Sequence, residues 1–316
     1  MSNAPGHDAG GQRDHAQVDL SLDGERLDTA VAVLVGISRS QATAAIEQGR
    51  VTKNGKPVKK SDRVATGDRL VIQPEETPEH DIAATRIAVP IIYRDEHIVV
   101  VDKPPHIAVH PAPGWDGPTI TQELAREGVS LAQMGPVERQ GVVHRLDSGT
   151  SGVMVLAVSN LAYQALKTAF HDRTVTKRYR ALVQGYPDPS SGTIDAPIGR
   201  HPSSSWKFAV TMSGKPAVTH YDTREVFPGA TLVDIELETG RTHQIRVHFQ
   251  AERHPLVGDG LYGADPTFMT RLGLTRQWLH AVSLAFQHPA TGERAEFASD
   301  PSPDLKHALD ALEMSS

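Results

Sequence analysis

Cysteine is absent from the 316 residues. That excludes disulfides, zinc ribbons, iron–sulfur ligation and any thiol nucleophile. Aromatic side chains are scarce at 5%, so a ring used by the chemistry is a local feature and not part of a broad stacking platform. No apolar run approaches the ~20 residues of a membrane span, and the polar N-terminus carries no signal-peptide pattern. The expectation is a cytoplasmic protein with no membrane partner. The formal net charge of -6 argues against a generic polyanion binder, unless the basic residues are gathered in one place. What is present suffices for a core: 39% of residues are hydrophobic and 22% charged, and the length suits two domains of about 100–200 residues.

The basic residues do cluster. Residues 1–17 are rich in Gly, Asp and His without periodicity and read as a disordered leader. Leu27, Ala30, Val31, Leu34 and Val35 then recur at helical spacing until Gly36. Ser38 followed by Gln41 reads as a capping box opening a second helix, which ends before Gly49. Val51-Thr52-Lys53-Asn54-Gly55-Lys56-Pro57-Val58 is a strand, an Asn-Gly turn and a returning strand. Arg39, Arg50, Lys53, Lys56, Lys59 and Lys60 fall in this stretch, with Glu47 the one acid among them. Glu75, Glu76, Glu79 and Asp81 follow in a Pro-containing linker over residues 74–88. The patch is either a solvated face or a set of phosphate anchors.

Two short helices followed by a basic hairpin resemble the S-four-type RNA-binding domain. The matching pieces are Glu25-Arg26-Leu27-Asp28, Ser38-Arg39-Ser40-Gln41-Ala42, Gly49-Arg50-Val51-Thr52-Lys53-Asn54-Gly55 and Gly67-Asp68-Arg69-Leu70. The resemblance covers residues 18–73. It implies that Arg39, Arg50, Lys53 and Lys56 contact RNA phosphates, which position RNA without reading much sequence.

A longer domain over residues 89–316 shows a different pattern. Ile98, Val99, Val100 and Val101 form a β-branched run, and Gly152-Val153-Met154-Val155-Leu156-Ala157-Val158 another strand. Leu161, Ala165, Leu166 and Phe170 suit the helix after it. Residues 178–183 and 232–237 are further strands, and Thr242 is expected to cap a helix carrying Ile245 and Phe249. Strands and helices mix without a repeating unit, so the class is α+β on a mixed, mainly antiparallel sheet.

The decisive run is Val143-His144-Arg145-Leu146-Asp147-Ser148-Gly149-Thr150-Ser151-Gly152. On physics alone it is a polar, Gly-containing loop feeding a strand. Such a loop places catalytic groups, or its Asp147 and Thr150 merely satisfy a turn. The run resembles the signature of the RluA/RluD family of RNA pseudouridine synthases. Lys103-Pro104-Pro105-His106-Ile107-Ala108-Val109-His110-Pro111 resembles the same family's early loop, with His106 where the family has Gly. Lys177-Arg178-Tyr179-Arg180-Ala181-Leu182-Val183, Gly199-Arg200-His201-Pro202, Gly240-Arg241-Thr242-His243-Gln244-Ile245-Arg246-Val247-His248 and His254-Pro255-Leu256-Val257-Gly258-Asp259 follow in family order. The resemblance runs over residues 91–297. With the preceding module it points to the branch acting on large-subunit ribosomal RNA.

That resemblance implies a reaction. The uracil N1–ribose bond breaks, the base turns, and it rejoins through C5, with no electron transferred and no metal or cofactor required. Asp147 is the implied catalytic carboxylate, Arg246 its ion-pair partner, and Tyr179 the ring against the target base. An adjacent cation favours the charged form of a carboxylate. Tyr179 alternates with Ala181 and Val183, so its ring should share their buried face. Arg145 is implied to fill the place left by the extruded base, and His144 and Arg241 to contact RNA. The 16 His residues include His106/His110 and His243/His248. Flanking prolines and the absence of a His-Glu-x-x-His run argue against a metal site. The expected protein is a monomeric enzyme whose partner is ribosomal RNA of the large subunit or its precursor particle. A noncatalytic RNA-binding or ribosome-assembly protein is the competing class. A metal-dependent RNA hydrolase would need clustered carboxylates.

Overall fold

The computed structural model describes residues 14–35, 39–72, 86–112 and 114–314. The chain divides into two compact units, residues 1–80 and 81–316.

In the first unit α1 (Leu27–Val35) and α2 (Arg39–Glu47) accompany four short strands. These are β1 (Asp14–Gln17), β2 (Val51–Lys53), β3 (Lys56–Pro57) and β4 (Arg69–Ile72), all antiparallel in the order β1-β4-β2-β3. The helical spacing has its cause in the core: Leu27, Ala30 and Val31 pack with Ala42, Ala45, Ile46, Val51 and Leu70. Asn54 and Gly55 take φ of 51° and 77°, as a two-residue hairpin turn requires. Asn54 Oδ1 also accepts the Arg69 N–H at 2.8 Å, tying the turn to β4. Residues 14–17, expected in the leader, form a strand, and residues 1–13 lie outside the described residues. Asp14–Gln17 pairs with β4 along its length, an edge strand whose polar residues gave no alternation to read. Gly36, Ser38 and the linker from residue 73 to residue 85 lie outside the described residues.

The second unit is built on a nine-stranded sheet. It contains β5 (Ile91–Arg94), β6 (Ile98–Lys103), β7 (Ser151–Ala157), β8 (Thr176–Gln184) and β9 (Ser191–Asp195). A separate hairpin, β10 (Ile198–His201) with β11 (Ser204–Val210), precedes β12 (Val218–Phe227) and β13 (Ala230–Leu237). The last strands are β14 (Leu279–Gln287) and β15 (Arg294–Ala298). The order is β5-β6-β7-β14-β8-β13-β12-β9, with β15 beside β14. Only β7 and β14 run parallel, so the sheet is mixed and mainly antiparallel. Five helices accompany it: α3 (Ile120–Arg126), α4 (Asn160–His171), α5 (Gln244–Ala251), α6 (Pro266–Arg271) and α7 (Pro303–Glu313).

Strand β7 is buried along its whole length, which explains its unbroken apolar run. Val153, Val155 and Ala157 join Leu166 of α4 in one layer, while Met154 and Leu156 join Leu124 of α3 in the other. Each buried Val, Leu or Met among them contributes roughly 1.5–3 kcal/mol. On β8, Ala181 and Val183 pack with Ile245 and Phe249 of α5, and Tyr179 lies against the same cluster, as the alternation predicts. Leu182 faces the other way, against α7 and Trp278. The capping expectation fails at α5. Its N-cap is His243, left-handed at φ 58° and without a side-chain cap bond, not Thr242. Gln244 supplies the closure instead, its Oε1 accepting from Arg241 N at 2.9 Å and Thr239 Oγ1 at 2.7 Å.

Candidate active site

The run 143–150 enters β7 as a loop braced from below. Thr150 N–H closes its turn onto the Asp147 carbonyl at 3.0 Å. The ammonium of Lys103, at the end of β6, donates to the carbonyls of Pro104, Ser148 and Thr150 at 2.9, 3.1 and 2.8 Å. Burial pulls the Lys103 pKa down to about 7, against the opposing charge of Asp147. Arg276 donates to the Gly149 carbonyl at 2.8 Å, and Gln277 to Thr150 Oγ1 at 3.2 Å. Gly152 stands at φ 116° where β7 meets β14; a Cβ there would lie 2.2 Å from the Ala281 carbonyl oxygen. A left-handed residue is also needed in the early loop, and His106 supplies it at φ 61°.

The turn is thereby closed, and its carbonyls are held, without the Asp147 side chain. Its Oδ2 instead accepts from Arg246 Nη1 at 3.1 Å. Arg246 comes from the first turn of α5, where the helix dipole alone disfavours a cation. Two carboxylates compensate. Asp259 takes the rest of the guanidinium bidentately, Nε to Oδ2 at 2.6 Å and Nη2 to Oδ1 at 2.9 Å. Burial opposes the charge on Arg246, but its hydrogen bonds to Asp259 and the charge of Asp147 push its pKa up. His243 Nε2 lies 3.9 Å from Asp147 Oδ2. Burial pulls this imidazole below its ordinary value, with Asp147 opposing. Among the described residues no group donates to Asp147 Oδ1, which leaves one carboxylate oxygen for a reacting partner.

Asp147, Arg246 and Tyr179 line one cleft of about 1000 Å³. Burial pushes the Tyr179 phenol up, and the Asp147 charge adds to it, so the ring is neutral. Arg145 is exposed at the cleft, while Arg241, whose Nε donates to the Pro216 carbonyl at 3.0 Å, lines it as well. His144 is engaged with the protein: its ring stacks on Phe170 at 4.6 Å and its Nε2 accepts the Val155 N–H at 3.1 Å. Burial drives its pKa down to about 3, so the ring is a neutral acceptor. Cleft residues to which the sequence gave no role are Lys167 and Arg173 on the α4 side and Lys177 on β8; His243, weighed in the sequence only as a metal ligand, lines the cleft too, and Asp259 stands behind Arg246. The sequence signal for Lys177 was its two-residue offset from Tyr179 on one strand face. With Arg145, Arg241 and Arg246 these lysines and arginine outnumber the acids Asp147 and Glu238, so the cleft is electropositive in an acidic chain.

In the first unit Lys53 donates to the Arg63 carbonyl at 2.8 Å and lies 3.5 Å from Asp68, so Asp68 opposes the patch as well as Glu47. Glu47 pairs with Lys60 at 2.7 Å. Arg50 Nε donates to Gln48 Oε1 at 2.8 Å, and Lys56 is exposed on β3. The Arg39 side chain lies outside the described residues. His110 and His248 are hydrogen-bonded within the protein, to the Pro111 carbonyl and to Thr219 and Ala196. Among the described residues no group of three or more His, Asp or Glu is placed to hold a metal ion.

Comparison with known proteins matches residues 97–251 to the RNA pseudouridylate synthase family and residues 25–70 to the S4 domain, the S-four-type module. An uncharacterised RNA pseudouridine synthase of Mycobacterium bovis is 56% identical over 294 residues, 92% of this chain and 95% of its own. The ribosomal large subunit pseudouridine synthase D of Pseudomonas aeruginosa is 42% identical over 307 residues, 94% of this chain and 95% of its own. Among solved structures, human RNA pseudouridylate synthase domain containing 1 superposes with a TM-score of 0.57 at 28% identity. That match covers 72% of this chain and 94% of the human one. Fold and relatives together define an RNA-modifying isomerase. The chain belongs to the RNA pseudouridine synthase family and carries an S4 domain at its N-terminal side.

Proposed function

We propose that this enzyme makes pseudouridine in large-subunit ribosomal RNA, with Asp147 as the catalytic carboxylate. The observation that carries the catalytic assignment is the buried Arg246 reaching Asp147 Oδ2 at 3.1 Å in an electropositive cleft, with Oδ1 left unbonded among the described residues. The substrate assignment is supported by the ribosomal large subunit synthases D of Pseudomonas aeruginosa and Vibrio parahaemolyticus, 42% and 40% identical over more than nine-tenths of this chain.

The reaction breaks the N1–C1′ bond of uridine and forms a C5–C1′ bond. C5 loses its hydrogen to solvent as a proton and N1 gains one, so atoms and electrons balance. A carboxylate can open this sequence by attack on the sugar, by attack on the base, or by removing a sugar proton, and each route starts from its ionised form. The Arg246 guanidinium, 3.1 Å from Asp147 Oδ2, supplies a positive charge beside that carboxylate. Tyr179, neutral and against the cleft, offers a ring face to a base that must leave its helix to be reached. Arg145 fills the vacated stack, and Arg241 and the cations of the S4 unit bear on RNA, whereas His144, stacked on Phe170 and bonded to Val155 N–H, braces the loop instead of reaching RNA.

The test is to map pseudouridines in large-subunit ribosomal RNA from cells lacking this protein. One or more sites should be uridine in the deletion strain, restored by the native gene and not by Asp147→Asn. An unchanged map would remove large-subunit RNA as the substrate.

A further inference from the structure

Both partners of Asp147 are held by one short turn. Asp259, 2% exposed, grips the Nε and Nη2 of Arg246 and accepts the Tyr262 N–H at 3.3 Å. Tyr262, three residues on, lies under the guanidinium with its ring centre 4.9 Å from Arg246 Cζ. Its hydroxyl is 2.8 Å from His243 Nδ1 and accepts the Phe208 N–H at 3.1 Å. When the phenol donates to Nδ1, Nε2 carries the imidazole proton, 3.9 Å from Asp147 Oδ2.

The turn is rigidly seated. A Cβ on Gly258 (φ 84°) would lie 1.9 Å from the Arg276 carbonyl oxygen. Val257 N–H bonds to the Leu182 carbonyl at 2.8 Å, and Trp278 N–H to the Val257 carbonyl at 2.7 Å. Arg276, whose backbone abuts Gly258, also holds the Gly149 carbonyl of the Asp147 loop through its side chain. The carboxylate and its two partners are thus referenced to the same stretch of backbone.

We propose that the turn of residues 259–262 is a positioning clamp: Asp259 sets the reach of Arg246, and Tyr262 sets the ring orientation of His243, toward Asp147. This rests on Asp147 being the reacting carboxylate. Asp259 and Tyr262 act through their partners and touch no substrate. The alternative is that Asp259 only neutralises a buried cation and Tyr262 only fills the core with Ile198, Ala217 and Val247.

The test measures tritium release from RNA labelled at uracil C5, with kcat and KM separated. Asp259→Asn should cut kcat about a hundredfold, the cost of a misplaced catalytic group, and Tyr262→Phe about tenfold, both with KM little changed. Asp259→Asn should cost far less in an Arg246→Lys background, and Tyr262→Phe nothing further in a His243→Ala background, since each pair acts as a unit. A full, additive loss in those backgrounds, or an unchanged kcat in folded variants, overturns the clamp. If Asp259→Asn fails to fold, the native enzyme still decides: the Arg246 Nε–H should exchange slowly with water in ¹⁵N spectra, and exchange as fast as a solvated arginine would contradict it. Asp147→Asn is run in parallel, and release at the native rate there would fail the reading of Asp147 itself, separately from the clamp.

Discussion

Arg246 is shared between two carboxylates, and the division explains why it can serve one of them. Asp259 satisfies two of its nitrogens out of solvent, so the third reaches Asp147 without the guanidinium being free to swing. Arg246→Ala should therefore cost both chemistry and stability. Turnover should fall by orders of magnitude, and the buried Asp259 left unpaired should lower stability by about 3–5 kcal/mol, read from urea midpoints. Arg246→Lys should keep more of both, although a point charge cannot bridge two carboxylates as the fork does. Near-native turnover in the Ala variant would separate Arg246 from the chemistry. At this scale Asp147, Tyr179 and Arg246 were legible because each sits in a long family run. Asp259 was visible in such a run, but nothing in Leu256-Val257-Gly258-Asp259 shows that its carboxylate closes on a helix begun at Gln244. His106 was legible as a departure, and its φ of 61° shows that the loop keeps the backbone a glycine would take.

Between α4 and β7, packing gives His144 a task that charge would break. In the unfolded chain this imidazole takes up its proton near 6.5, and in the fold only near 3. Between those values the unfolded state binds the extra proton, so the stability His144 contributes is full above pH 6.5 and declines as pH falls toward 3. His144→Asn keeps an acceptor for Val155 N–H without titrating. Its melting temperature should drop less between pH 7.5 and pH 5 than that of the native chain, and an equal drop would contradict the neutral, bonded ring. Gly152 is the corresponding constraint where β7 meets β14. Gly152→Ala, with its Cβ against the Ala281 carbonyl, should destabilise by on the order of 3 kcal/mol, measured by urea unfolding. Strands β6 and β7 were readable as apolar runs, and β8 and β13 as longer strands with apolar positions facing the core. The four-residue β1 and the irregular start of α5 were not, since one is a polar edge strand and the other closes through Gln244 instead of an N-cap hydroxyl.

Across the whole molecule the net charge of -6 conceals two basic regions, one in the S4 unit and one in the cleft of the second unit. The composition legibly placed the first region, since its residues are close in sequence. It could not show the second, whose cations come from the signature loop, α4, β8 and the approach to α5. Deleting residues 1–73 should weaken RNA binding and flatten its salt dependence, by about 0.9 in the log–log slope for each duplex phosphate no longer neutralised. Turnover on saturating short RNA should fall much less. A truncated enzyme that binds full-length RNA equally tightly at every salt concentration would make the patch a solvated face. The assignment of Asp147 is tested most directly by chemistry that only a carboxylate at this position can start. Asp147→Asn keeps the shape of the side chain and removes its charge, and RNA affinity, resting on phosphate contacts and stacking elsewhere, should change little. RNA tritiated at uracil C5 should release its label to water with the native protein and release none with the Asn variant; equal release from both would contradict Asp147 as the catalytic carboxylate.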